Sequence, residues 1–274
     1  MASLLLASSR AAAGPLATEE VGRLLPEIHR RHAGFDARLE TVSALFLGAP
    51  HRLSPLGEGP GSVPDPDPLF DFTRFDCLTY VEEVMALGWY GDLATATREL
   101  QRIRYTGGQV RYGARKHIMM AQWIPQNVAA GFVRDITREV GESATVVARL
   151  QVRSEQFERG PGTKLLLAAA DRPVGSYELP IVPIALAAGL ADRVPHGTIV
   201  TSIRRADPRL PYRAGHVGLV LVLGGERRVR HATAARGRVV EQSFASFVAW
   251  QRRKRQRPVE GLNLLAIAKA PPRR

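Results

Sequence analysis

Cys77 is the only cysteine in the 274-residue chain, and it sits in the stretch FDCLTYVEE directly after an aspartate. A lone thiol excludes an intramolecular disulfide, a multi-cysteine zinc site and a CxxC redox pair. What remains is a small buried hydrophobe, the commoner case, or a nucleophile. The position has a use only in the second, although alone it leaves the first the commoner case. From Cys77 to Tyr90 the apolar spacing is helical, with Cys77, Val81, Val84, Met85 and Gly88 on one face. Asp76 is then the N-cap, and the positive end of the helix, with a neighbouring imidazolium, is expected to lower the thiol pKa.

A thiol nucleophile needs a base. The segment AGHVGLVLVLGGERRVRHATAARGRVVE reads as consecutive antiparallel strands, turning at Gly224-Gly225 and again at Arg236-Gly237. A two-residue turn sets Leu223 opposite Glu226, Gly218 opposite His231 and His216 opposite Thr233. His216 and His231 then project from one side of the sheet as diagonal neighbours, roughly 7–8 Å apart. One histidine can take the thiol proton and the second can orient it, as nucleophilic catalysis requires. Each histidine alone is better explained as a structural imidazole. A zinc site made of Cys77, His216 and His231 has no support beyond proximity, so no metal and no cofactor are expected.

The elements that must position these groups follow from periodicity. A 1–44 segment holds a weak leader and an amphipathic helix over residues 19–47, in which Val21, Leu24, Leu25 and Ile28 keep helical spacing. A proline- and glycine-rich segment then delivers the chain to Cys77; irregular segments of this length are often functional. A second helix is expected over 92–104, and helix again past Asn127. Strands are expected over 143–152, 198–203, 216–223, 228–233, 238–242 and 262–267, whereas 181–190 could be strand or helix. Helices first and strands later predict an α+β fold, read as one domain over 45–270.

The formal charge of +12 suggests anionic surroundings such as cell-wall polymer, acidic lipid or nucleic acid. The excess is nearly all arginine, with lysine only at positions 116, 164, 254 and 269, which also fits the bias of a GC-rich genome. The basic run RRKRQR at 252–257 reads as a solvated helix end, without the aromatic platform of a nucleic-acid site, so no nucleic-acid partner is expected. No stretch reaches the ~20 apolar residues of a transmembrane span. The N-terminal MASLLLASSRAAAGPLA lacks a positive n-region and makes a poor signal peptide as it stands.

In order along the chain, LFLGAPHRLSPLGEG, FDCLTYVEEVMAL, RYGARKHIMMAQW, AGHVGLVL and RHAT resemble the N-acetylmuramoyl-L-alanine amidase-like family. That family belongs to the NlpC-type, papain-like superfamily of bacterial cell-wall peptidases, and the likeness runs over about residues 45–267. It implies a papain-like domain in which the cysteine helix packs on an antiparallel sheet bearing both histidines. It further implies Cys77 as nucleophile, His216 as general base and acid, His231 as the orienting member, and peptidoglycan or muropeptides as substrate. A monomer in the periplasm, the cell envelope or the medium is expected on the same ground. Ile118 stands where relatives carry an aromatic, and Gly197-Thr198 where many carry Gly-Asp.

Substrate contacts are expected from Asp76, through the amine of a stem peptide or as the cap alone, and from Arg115 and His117, which match an Arg-x-His segment of the family. Tyr80, one helical turn from Cys77, is a further candidate with core packing as its alternative. Trp123 is expected in the core, and His29, His32, His51 and His196 at the surface. The same catalytic residues would serve a γ-D-glutamyl-diamino acid endopeptidase or a thioester-forming acyltransferase or lipid hydrolase. A non-catalytic basic wall-binding module is the alternative outside enzymes.

Overall fold

In the computed structural model, which describes residues 15–159 and 161–272, helices precede strands as the periodicity requires. The amphipathic segment near the start is two helices rather than one, α1 (Thr18–Arg31) and α2 (Phe35–Leu45). His32 turns extended after α1, and Gly34, with φ −85° and ψ 140°, begins the second helix. Glu19 and Glu20 in the first turn of α1 and His29, Arg30 and Arg31 in its last suit the helix dipole.

Helix α3 (Cys77–Trp89) is buried from Thr79 to Trp89 on every side, the condition of a helix enclosed by its own domain. Its length brings Glu82 inside, where Arg104 (2.8 Å) and the Trp123 indole (2.7 Å) donate to the carboxylate. Helix α4 (Leu93–Arg104) starts at Asp92, whose side chain accepts from the Thr95 amide at 2.8 Å. A π-helical turn over Met119–Trp123 then leads into α5 (Ile124–Ala129).

The remainder is mostly sheet: β1 (Val133–Asp135), β2 (Val146–Val152), β3 (Gly175–Pro183), β4 (Thr198–Arg204), β5 (Ala214–Leu223), β6 (Glu226–Thr233), β7 (Arg238–Ser243) and β8 (Val259–Ile267). Short helices α6 (Thr137–Gly141) and α7 (Glu155–Glu158) interrupt it, and α8 (Phe244–Arg252) follows β7. All pairings are antiparallel, in the order β2-β3-β8-β4-β5-β6-β7, with β1 also on β8. The segment that read as strand or helix is both: β3 ends at Pro183 and helical turns occupy Ala187–Arg193.

Both faces of the sheet are covered, which is why β4 reads as a continuous run rather than an alternating one. Ile199, Leu219 and Leu265 face the larger core with Val81, Val84 and Phe46 of the helical side. Their neighbours Val200, Val220 and Leu264 face a smaller core under Phe244, Phe247 and Val248 of α8. No helix among the described residues is long and apolar enough to cross a membrane.

Candidate active site

Asp76 starts α3 in the way the sequence predicts. Its Oδ1 accepts from the Leu78 (2.9 Å) and Thr79 (2.8 Å) amides, and the Thr79 hydroxyl accepts from the Asp76 amide at 3.0 Å. This reciprocal capping box fixes the first turn. The other carboxylate oxygen accepts from the Ser54 amide at 3.1 Å and ties the preceding long loop to the helix. Asp76 thus caps the helix, with one donor on the oxygen turned to the loop.

The β5–β6 hairpin closes through Gly224 (φ 56°) and Gly225 (φ 85°), with Leu223 opposite Glu226 as expected. Its ladder ends at Leu219↔Arg230, before the predicted pairs of Gly218 with His231 and of His216 with Thr233. The two strands stay close beyond the last ladder pair, a Cβ on Gly218 falling 3.5 Å from that of His231, and the backbone amides of Val217, Cys77 and Leu78 interact with the Cys77 sulfur. The shared face of the two histidines survives. His216 Nε2 lies 2.7 Å from His231 Nδ1, with the rings edge to face at 4.8 Å.

A further residue extends this pair. His231 is opposite Val240 in the β6–β7 ladder, and Gln242, two positions on, brings its side-chain amide to 3.1 Å from His231 Nε2. Phe247 and Trp250 of α8 cover the imidazoles, with centroids 5.0–6.0 Å from His216 and 5.4 Å from His231. Sequence reasoning missed Gln242, although a two-residue turn at Arg236-Gly237 would set it opposite His231; the observed register, with Thr233 opposite Arg238, keeps it on the same face as a diagonal neighbour.

Cys77, Leu78, His117, Met119, Tyr212, Ala214, Gly215, His216 and Val217 line a cleft of about 170 Å³. Thiol and imidazole therefore border one space. His216 Nδ1 has no protein partner among the described residues, so this lone pair or proton is the one available there. His117 also belongs to the cleft wall, its Nε2 2.8 Å from the Tyr112 carbonyl.

The other candidates lie elsewhere. Tyr80 is wholly buried and donates to the Ser43 carbonyl at 2.9 Å, because α3 is enclosed on the face where one turn from Cys77 would otherwise meet substrate. Arg115 clamps Glu58 (2.5 and 2.8 Å) and Asp65 (2.9 Å), closing the long loop on itself behind the cleft. Trp123 is core, as expected. The histidines expected at the surface are half-buried: His29 meets the Leu87 carbonyl, His32 the Thr41 hydroxyl, and His196 the Val222 amide. His51 joins the loop to Phe75 and is close enough for its charge to be felt at His216.

The electrostatics reverse the expectation drawn from helix position. Burial pushes the Cys77 thiol up to about 12, the Asp76 carboxylate adds to this, and the three amides at the sulfur oppose it. Burial holds His216 well below the ordinary histidine range, helped by His231, Lys254, His51 and Arg204. His231 is lowered to about 4 by burial and by Lys254, and His117 to about 4 by burial. Both shifts favour the neutral forms, a thiol beside an uncharged imidazole. Among the described residues no three His, Cys, Asp or Glu side chains gather into a metal-binding group.

The site belongs to an α+β protein in which a thiol at a helix start and the first of two paired imidazoles border one cleft. The chain is a member of the AmiA-like, N-acetylmuramoyl-L-alanine amidase-like family, whose model matches residues 41–254. Its fold is similar to that of a Legionella pneumophila protein, with a TM-score of 0.78, 22% identity, and coverage of 92% of this chain and 96% of that one. It is also similar to an N-acetylmuramoyl-L-alanine amidase from Bacteroides uniformis, with a TM-score of 0.67, 19% identity, and coverage of 86% and 99%. A search of the curated proteins gave no match.

Proposed function

We propose that this protein is a cysteine-dependent hydrolase that cleaves an amide bond of bacterial peptidoglycan. The observation that carries the reading is the shared cleft: Cys77 and His216 line it together, and His231 holds the second nitrogen of His216. Family membership supplies the substrate class, and the fold is read as papain-like of the NlpC type.

Because both partners rest neutral, proton transfer accompanies attack rather than preceding it. Sγ adds to the carbonyl carbon as its proton passes to His216 Nδ1, and the imidazolium so formed is held by His231 through Nε2. For His231 Nδ1 to accept, its own proton must sit on Nε2; the Gln242 amide, whose nitrogen faces that atom at 3.1 Å, then turns over so that its carbonyl receives the proton. Thiol–imidazole hydrogen bonds are commonly long before substrate binds and tighten in the complex. The amides that point at the sulfur, including that of Cys77 itself at the helix start, are the donors closest to the developing oxyanion. Collapse of the tetrahedral species breaks the C–N bond, and His216 returns the proton to the leaving amine. Water then adds to the thioester, giving the carboxylate and restoring the thiol.

The family name points to the bond between muramic acid and L-alanine, cut by a monomer outside the cytoplasmic membrane. A cut between D-glutamate and the diamino acid would use the same residues. Digestion of purified sacculi, followed by mass spectrometry, separates these: intact stem peptides mark the amidase and truncated ones the endopeptidase. The mechanism is refuted if Cys77→Ala releases fragments as fast as the wild type.

A further inference from the structure

Most buried or half-buried arginines in this molecule have carboxylate partners: Arg104 with Glu82, Arg115 with Glu58, Arg213 with Glu260 and Arg230 with Glu241. Three cations beside the cleft do not. Arg204 folds its side chain against the bare Cα of Gly215, where any side chain would collide with it, and donates to the Gly215 carbonyl at 3.3 Å. Arg257 lies over the Tyr212 ring at 5.2 Å and donates to the Tyr212 carbonyl at 3.2 Å, while its buried Nε has no partner. Lys254 sits 4.0 Å above Trp250, the ring that meets His216 edge on. Gly215, Tyr212 and His216 all line the cleft.

Among the described residues none of these cations has a carboxylate within ion-pair distance. Asp207, whose carboxylate feels Arg257, is taken by Arg209 through contacts of 2.8 and 3.0 Å. Like charges brought together without compensation disfavour one another. Burial and the nearby Arg257 lower the pKa of Arg204, and burial and Arg204 lower that of Lys254. The Cys77 sulfur is among the groups whose charge Arg204 senses. Such an arrangement, half-desolvated and short of one negative charge, is complementary to an oxyanion ligand.

We infer that Arg204, Lys254 and Arg257 form an anion subsite beside the thiol that takes a carboxylate of the substrate flanking the scissile amide. The identity of that carboxylate as one of a stem peptide rests on the amidase reading; the capacity for an anion does not. The subsite would orient the substrate across the thiol and reject neutral acyl chains, which sets it apart from lipid-directed chemistry.

The single cysteine makes the test direct. Iodoacetate and iodoacetamide both alkylate a thiolate with loss of iodide and are nearly equal in size, but only the first is an anion. With the full chain, the ratio of the iodoacetate rate to the iodoacetamide rate at Cys77 is expected to exceed that of N-acetylcysteine amide about fivefold at low salt. It should fall toward the reference in high salt. Lys254→Gln and Arg257→Gln should each lower the ratio, and Arg204→Lys, which keeps the charge, should lower it least. A ratio at or below that of the reference thiol, unmoved by Lys254→Gln and Arg257→Gln, overturns the subsite. A raised ratio that these variants lower, in a protein that leaves muropeptides intact, upholds the subsite and refutes the amidase reading. Cleavage of muropeptides with no effect of charge on alkylation does the reverse.

Discussion

Replacing His231 by glutamine tests the neutral resting state of the histidine pair through stability alone. His231 is 1% exposed, and its pKa falls from the ordinary 6.5 to about 4 on folding. A group lowered in this way leaves the unfolded chain binding more protons than the folded one between those values. Its favourable contribution is therefore complete above the unfolded value and drains away as the pH falls from about 6.5 toward 4. Between pH 7 and pH 5 the loss from this one group is about 2 kcal/mol. Glutamine can still bond to His216 Nε2 but cannot be protonated. It also removes a neighbour that lowers the pKa of His216, so the variant loses less on acidification for a second reason. Urea unfolding of both proteins near pH 7 and near pH 5 measures the difference. The wild type should lose at least about 2 kcal/mol more than His231→Gln over that interval. Parallel losses, within the ~0.5 kcal/mol of the method, would mean that His231 takes up a proton as readily folded as unfolded, and the burial-held neutral pair would fall with it.

Gln242→Leu removes the group that holds His231 Nε2, and should lower kcat on muropeptides about tenfold with little change in KM, because it acts through the imidazole rather than on substrate; Gln242→Asn or Glu should recover part of the loss, and an equal rise in KM would refute the positioning role. Arg115→Ala leaves Glu58 buried beside Asp65 without its cation, and should cost about 3–5 kcal/mol in denaturant unfolding; a loss under ~1 kcal/mol would show that the loop is not held by this clamp.

The parts of the site that local chemistry determines could be read from the sequence. An aspartate before a helical apolar run specifies a cap, and a Gly-Gly turn specifies a hairpin that places both histidines on one face. Strand β1 was missed, and α8 was legible only by its end at the basic run, because each is short and its apolar residues serve tertiary packing more than a visible period. Tyr80 was placed toward substrate for a related reason: a helix buried all round has no amphipathic signature to say which side is open. The direction of the Cys77 shift also lay beyond reach. A helix start lowers a thiol pKa at the surface, but here desolvation of the sulfur between α3 and β5 outweighs the dipole. The cation cluster draws on β4, the turn after α8 and the stretch before β8, and no linear motif announces charges that meet only when these segments fold.

Strand β8 comes late in the chain yet lies inside the sheet, between β3 and β4, with β1 at its end. Synthesis therefore leaves a vacancy in the middle of the sheet until residues 259–267 emerge, and two neighbouring strands wait with open edges. The histidine hairpin is complete before this insertion, but the strand that supports it, β4, is anchored on one side only. Bracing of β4 from both sides thus waits on residues 259–267. A ribosome-bound or prematurely stopped chain would carry every catalytic candidate and still lack the frame that sets thiol against imidazole.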